Sequence, residues 1–172
     1  MGLKLIRKNI IFKPDSTRVL ARYFNIGDVR KEKVIKRVLS LTNVEKDTIL
    51  NQLLRNFSSR HRSVVDVWER NFKRSMETPL SAEIMDYNYN LKERLIIGAY
   101  FTMEYSVEAA AFFNPSIVES PDQTQLQEGQ KRIILSFRAT GEGHVSSIVF
   151  RSGIIDENLD IHLDEVGKLL EK

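Results

Sequence analysis

The sequence predicts an α+β protein in which an N-terminal helical region precedes an antiparallel β-hairpin or blade. Up to about residue 112, apolar residues mostly recur at the three- and four-residue spacing of amphipathic helices. From residue 113 to 153 they alternate with polar residues, and turn-forming residues separate the alternating runs. We therefore predict a helical region with a short β segment at its start over 1–105, and a sheet region over 106–172.

The first residues predict two short strands followed by a helix. Leu3–Phe12 is rich in apolar residues, Pro14 turns the chain, and Arg18–Phe24 predicts a second strand. Asp28 is then placed to cap a helix that ends near Leu41.

Three longer helical segments follow. Thr42 and Glu45 form the Thr-x-x-Glu pattern of a capping box, which opens the second helix. The third helix is expected to end before Pro79, and Gly98 within the last one, Leu91–Glu104, indicates close packing against a neighbour. The residues expected to face the core share a helical spacing; they are Leu50, Leu53, Leu54, Phe57, Val65, Trp68, Phe72 and Met76.

The sheet region predicts a hairpin with two flanking strands. The expected strands are Ser116–Val118, Lys131–Arg138, His144–Arg151 and Asp160–Leu163. Ala139–Gly143 is the predicted turn of the hairpin, where Gly141 and Gly143 are free to adopt positive φ. Arg138 and His144 therefore flank this turn.

Composition excludes several classes of protein. The 172 residues are 42% hydrophobic and 28% charged, which is typical of a globular domain. No apolar run reaches the ~20 residues that span a bilayer, and the N-terminus lacks the apolar core of a signal peptide. With no cysteine, the chain has neither a disulfide nor a thiolate site. We predict a cytoplasmic protein.

The charge is unevenly distributed along the chain. Residues 1–105 contain 20 basic and 12 acidic residues, whereas residues 106–172 contain 6 basic and 11 acidic residues. A basic half can bind nucleic acid or an acidic partner, but solvated basic helix faces explain the same pattern. Because the chain has no recognisable nucleic-acid-binding motif, we rank that interpretation last.

Two stretches resemble a known enzyme family. FNPSIV, followed after a short gap by SFRATGEGHVSSIVFRSG, resembles the first propeller blade of glycoside hydrolase family 130. The upstream segment LIIGAYFTMEYSVEAAAFFNPSIV resembles the leader of a subgroup in which helices precede the propeller. The resemblance implies an incomplete five-bladed β-propeller and an activity on β-mannosides, by hydrolysis or by phosphorolysis.

The resemblance also implies a substrate site. Asn114 and Arg138 are the best candidates, because an amide and a guanidinium fork both suit sugar hydroxyls, and His144 is a third candidate. The alternative interpretation makes Asn114 a turn former before Pro115, and Arg138 and His144 solvated surface residues. We predict no metal site, since the three histidines lack ligand spacing, and no cofactor apart from inorganic phosphate as a co-substrate of phosphorolysis.

The residues that would perform the chemistry are not evident in this sequence. Glycoside cleavage needs a general acid, which the family places in a later blade, and about 60 residues after Phe112 cannot hold a whole propeller. We therefore expect the N-terminal portion of a longer protein, inactive alone, with no catalytic residue of its own. Its expected partners are a β-mannoside and either further blades or a second copy, with no membrane. The alternative is a non-catalytic helical module for oligomerisation or partner binding.

Overall fold

The computed structural model describes residues 5–167, 169 and 170. It confirms the α+β class, because this part of the chain combines five α-helices with β-sheets. The helices are α1 (Asp28–Ser40), α2 (Asn43–Phe57), α3 (Val64–Ser75), α4 (Ala82–Met85) and α5 (Leu91–Tyr100). The strands are β1 (Val19–Tyr23), β2 (Thr102–Ser106), β3 (Ala111–Glu119), β4 (Lys131–Thr140), β5 (Ser146–Ile155) and β6 (Ile161–Leu163).

The chain forms two compact units. The helical unit consists of residues 19–105 with 169 and 170, and the sheet unit consists of residues 5–18 and 106–167. Within the described residues, no helix is both long enough and apolar enough to span a bilayer.

The core of the helical unit is built on α1, α3 and α5. Trp68 of α3 is fully buried, and its backbone lies so close to Gly98 of α5 that a Cβ there would be 2.0 Å from the Trp68 carbonyl oxygen. This confirms the close packing that Gly98 predicted. The two clusters of buried apolar residues are Ile35, Val38, Phe72, Ile84, Ile96, Ile97 and Phe101, and Val64, Trp68, Leu95 and Ala99.

Two boundaries of the helical unit differ from the prediction. The last helix ends at Tyr100, and Thr102–Ser106 is a strand that pairs with β1, not the end of a helix. The partner strand is distant in sequence, so local periodicity does not reveal the pairing. Asp28 is the first residue of α1 and binds Lys31 and Thr78, while Gly27 occupies the cap position.

Glu93 at the start of α5 caps the helix and forms a buried ion pair. One oxygen accepts from the Asn90 backbone N–H in a capping box, and the other accepts from Lys46 Nζ at 2.8 Å. The two side chains are only 3% and 7% exposed. Burial raises the pKa of Glu93, but the hydrogen bonds from Lys46 and Asn90 outweigh it, and the pKa lies below its ordinary value of 4.5.

A carboxyl whose pKa is lowered by folding stabilises the folded state at pH values above its unfolded pKa. We therefore expect the free energy of unfolding of the helical unit to fall as the pH decreases below about 4.5. Glu93→Gln should flatten this dependence. Urea denaturation followed by Trp68 fluorescence at a series of pH values measures it. Glu83→Gln, which removes an exposed carboxylate from the same unit, controls for net charge. An unchanged pH dependence in Glu93→Gln would contradict the assignment.

The sheet unit is a four-stranded antiparallel meander in the order β3-β4-β5-β6. All four predicted strands are present, although β3, β4 and β5 are longer than expected. One face of the sheet is buried; its buried residues are Ile133, Leu135, Phe137, Ala139, Val149 and Arg151. Phe12 and Phe112 both pack on Phe137, with ring centroids 5.0 Å away. The strand predicted near Leu3–Phe12 is absent from residues 5–12, which have no regular structure.

A buried ion cluster joins residues 15–18 to the sheet. The Glu108 carboxylate is fully buried and accepts from Arg18 Nη1 at 2.8 Å and from Arg151 Nη2 at 2.7 and 2.8 Å. It also accepts from the Asp15 backbone N–H at 2.9 Å. This cluster explains why the first residues of the described chain belong to the sheet unit.

Candidate functional site

The face of the sheet opposite the buried one is open to solvent. The strand register places Phe113, Arg138 and Ile148 in one cross-strand row, and Ser116, Ser136 and Phe150 in the next. Three of these apolar side chains are strongly exposed: Phe113 is 49%, Ile148 64% and Phe150 63% accessible. We call this surface, formed by Phe113, Val118, Arg138, Ile148 and Phe150, the open face.

Asn114 lies at a β-bulge in β3. The register shifts between Phe113 and Ser116, so that Asn114 and Pro115 together oppose Phe137. Asn114 has φ 49°, in the left-handed region that Asn tolerates better than most residues. Pro115 has no backbone N–H, so at the bulge it leaves no ladder donor unpaired. The Asn-Pro step therefore interrupts the strand next to Phe113.

Arg138 is directly opposite Phe113 on the neighbouring strand. Directly paired residues on adjacent antiparallel strands lie about 5 Å apart, so Arg138 is close to the bulge that contains Asn114. The guanidinium is exposed, and its Nε donates to Ser146 Oγ at 3.0 Å. The structure thus brings together two of the three residues predicted from the sequence, with Ser146 orienting one of them.

His144 lies at the end of the same hairpin, in a 3-10 turn over Glu142–His144. Gly143 has the positive φ that the sequence predicts, but Gly141 is extended with φ −94° and the second positive φ is that of His144. Strand β5 begins at Ser146, so His144 belongs to the turn and not to the strand. Its side chain is exposed and makes no hydrogen bond to any residue in the described part of the chain.

The open face and the adjoining bulge combine groups that proteins use to bind sugars. The guanidinium of Arg138 and the amide of Asn114 can hydrogen-bond vicinal hydroxyls, while the exposed ring of Phe113 offers an apolar surface to the C–H groups of a pyranose. Phe113 is not among the site residues that the sequence predicts, and the strand register places it directly opposite Arg138. Phe150 is a second exposed ring on the same face.

The open face has no carboxylate. The strand register gives this face three cross-strand rows, from the row of Phe113 to the row of Ser152. None of the residues in these rows is Asp or Glu. Among the residues that the structure describes, no group of His, Asp and Glu side chains is arranged to hold a metal ion.

Comparison with protein-family models, with curated proteins and with solved structures found no match to this chain. The resemblance to glycoside hydrolase family 130 therefore stays a prediction based on the sequence stretches named above.

Proposed function

We propose that the sheet unit is a carbohydrate-binding blade and that the chain is the N-terminal portion of a family-130-like protein acting on β-mannosides, by hydrolysis or by phosphorolysis. The observation that supports this best is the pairing of Arg138 with Phe113 on the open face, next to the bulge that contains Asn114. An amide, a guanidinium and an exposed ring side by side suit one pyranose unit.

The topology of the sheet unit also supports a blade. A propeller blade is a four-stranded antiparallel sheet, as are β3-β4-β5-β6 here. Blades pack on their neighbours around the propeller axis, so a lone blade exposes apolar side chains. Val118, Ile148 and Phe150 are exposed in this way. We infer that further blades, or a second copy of the chain, cover this part of the open face in the active protein.

In this proposal each candidate residue binds a different part of the sugar, and none of them catalyses a reaction. Arg138 would hold two adjacent hydroxyls, Asn114 a third, and Phe113 the apolar face of the ring, with His144 at the rim. Since the open face has no carboxylate, the general acid would come from another blade, and phosphorolysis would use inorganic phosphate held there. The chain alone is then expected to bind sugar weakly and to catalyse nothing.

Weak but selective binding of a β-mannoside tests this proposal. In a 15N-labelled chain, β-1,4-mannobiose is expected to shift the amide resonances of residues 112–116 and 136–148, with a Kd on the order of millimolar. Arg138→Ala should weaken binding about tenfold, because it removes charge-assisted hydrogen bonds to the ligand. Lys131→Ala, which removes an exposed cation from the other end of β4, should leave binding unchanged.

Cellobiose provides the ligand control, because it differs from mannobiose in the configuration at C2. Equal shifts with both disaccharides would reject the mannoside assignment, and no shifts with either would reject the sugar site. If sugar binding is absent while analytical ultracentrifugation shows a defined oligomer, the non-catalytic helical module becomes the better interpretation.

A further inference from the structure

The helical unit contains a basic cavity of about 410 Å³ between β1 and α3. Its wall includes Arg22 and Tyr23 from β1, and Arg70, Asn71 and Arg74 from α3. No acidic residue lines it. We call it the arginine pocket.

The local sequence explains why the pocket is basic. Arg70 and Arg74 are four residues apart on α3, so both project from the same face of the helix. Asn71 anchors this part of α3, because its buried amide donates to Thr102 Oγ1 on β2 at 2.7 Å. Strand β1, which pairs with β2, contributes Arg22.

The exposed arginines of the pocket form no ion pair with a carboxylate of the described chain, as is also true of the exposed Arg30, Arg37 and Arg55. Elsewhere in the described chain, Arg18, Arg60, Arg94 and Arg151 each form an ion pair with a carboxylate. In the same described residues, none of the three pocket arginines lies within ion-pair distance of a carboxylate. The like charges of Arg70 and Arg74, which are four residues apart on α3, repel each other, and a bound anion would relieve that repulsion.

Aromatic rings position two of these guanidiniums. Arg22 lies over the Tyr105 ring and Arg74 over the Tyr23 ring, each with its guanidinium carbon 4.9 Å from the ring centroid. A guanidinium that contacts a ring through its face keeps its in-plane N–H donors available to a ligand. The N–H groups of these two guanidiniums are therefore held in place and stay available to hydrogen-bond a ligand.

We propose that the arginine pocket binds a small phosphomonoester, such as a hexose phosphate. A phosphate dianion offers several acceptor oxygens to the neighbouring guanidinium forks of Arg70 and Arg74, which a single carboxylate cannot match. The cavity is also larger than a phosphate group alone requires, which leaves room for the organic part of the ester. This site is independent of the sugar site on the open face, because its residues all belong to the helical unit.

Calorimetric titration of the whole chain at low ionic strength tests the proposal, with mannose 6-phosphate and inorganic phosphate as separate ligands. We expect saturable one-to-one binding of mannose 6-phosphate with a Kd of about 1 mM or tighter, and weaker binding of inorganic phosphate. The double variant Arg70→Gln/Arg74→Gln should weaken binding at least about tenfold, since charge-assisted hydrogen bonds are lost.

Lys73→Gln is the matched control, because Lys73 is an exposed cation on the same helix that does not line the pocket. It should bind mannose 6-phosphate like the unmodified chain. Trp68 fluorescence in each variant verifies that the helical unit is folded. Equal losses in Lys73→Gln and in the double variant would overturn the proposal, since they would indicate non-specific attraction.

Two further results would also overturn it. One is the absence of saturable binding of either ligand at about 10 mM. The other is binding of a single-stranded oligonucleotide that mannose 6-phosphate does not displace, which would assign the same arginines to a nucleic-acid backbone. Binding of inorganic phosphate as tightly as mannose 6-phosphate would reject the ester and leave a site for the free anion.

Discussion

Glu108→Ala is expected to destabilise the sheet unit by about 3–5 kcal/mol, because it leaves two guanidiniums buried without a counter-charge. Glu108 has no exposed side-chain surface, and Arg18 and Arg151 retain only 12% and 7% of theirs. The variant also removes the acceptor of the Asp15 backbone N–H. Amide hydrogen exchange of residues 131–155, measured by mass spectrometry, should show a large loss of protection.

A matched control exists in the same sheet. Glu119 on β3 pairs with Lys131, but both side chains are more than half exposed. Glu119→Ala should therefore cost less than about 1 kcal/mol, as exposed ion pairs usually do. If Glu108→Ala and Glu119→Ala changed protection equally, the buried cluster would not be the main attachment of residues 15–18 to the sheet.

Gly98→Ala is expected to destabilise the helical unit by about 3 kcal/mol or more. This cost is at or above the largest that overpacking of a core usually has. The new methyl carbon would lie 2.0 Å from the carbonyl oxygen and 2.6 Å from the carbonyl carbon of Trp68. These are backbone atoms, so α3 and α5 must separate to relieve the clash. The substitution would ordinarily stabilise a helix by about 1 kcal/mol, so the sign of the effect is diagnostic.

Urea denaturation followed by the fluorescence of Trp68, the one tryptophan of the chain, measures this effect. Gly143→Ala is the control, because its added carbon meets no atom within 4 Å and the site is in the sheet unit. Its positive φ of 62° costs an alanine only about 1–2 kcal/mol. A Gly98→Ala protein as stable as the unmodified chain would show that the two helices are not in backbone contact.

Local patterns in the sequence were sufficient for much of the fold. The Thr42–Glu45 capping box and the buried Trp68 and Phe72 were predicted and are confirmed. Within the predicted strand Lys131–Arg138, Ile133, Leu135 and Phe137 alternate with less buried residues and lie on the buried face of β4. In each case, neighbours within a few residues determine the outcome.

Contacts between distant residues were not predictable in the same way. Strand β2 lies where the local periodicity predicts the end of a helix, because its partner β1 is about 80 residues earlier in the chain. The buried cluster of Glu108 was also missed, although a single carboxylate within the apolar run Ser106–Phe113 was a usable signal. For the candidate site, the sequence indicated Asn114 and Arg138, but only the strand register showed that they lie near Phe113.

The position of the helical unit within the sequence has a consequence for folding. Residues 19–105 interrupt the sheet unit, and the chain leaves and re-enters that unit at adjacent points, where Val107 N donates to Arg18 O at 3.1 Å. Closing an unstructured loop of this length costs on the order of 4 kcal/mol in chain entropy. Strands β1 and β2 lie at the two ends of residues 19–105, so their pairing brings together the same two points of the chain. Formation of the helical unit therefore makes the contact between Arg18 and Glu108 effectively local, and the sheet unit can be completed without a long-range search.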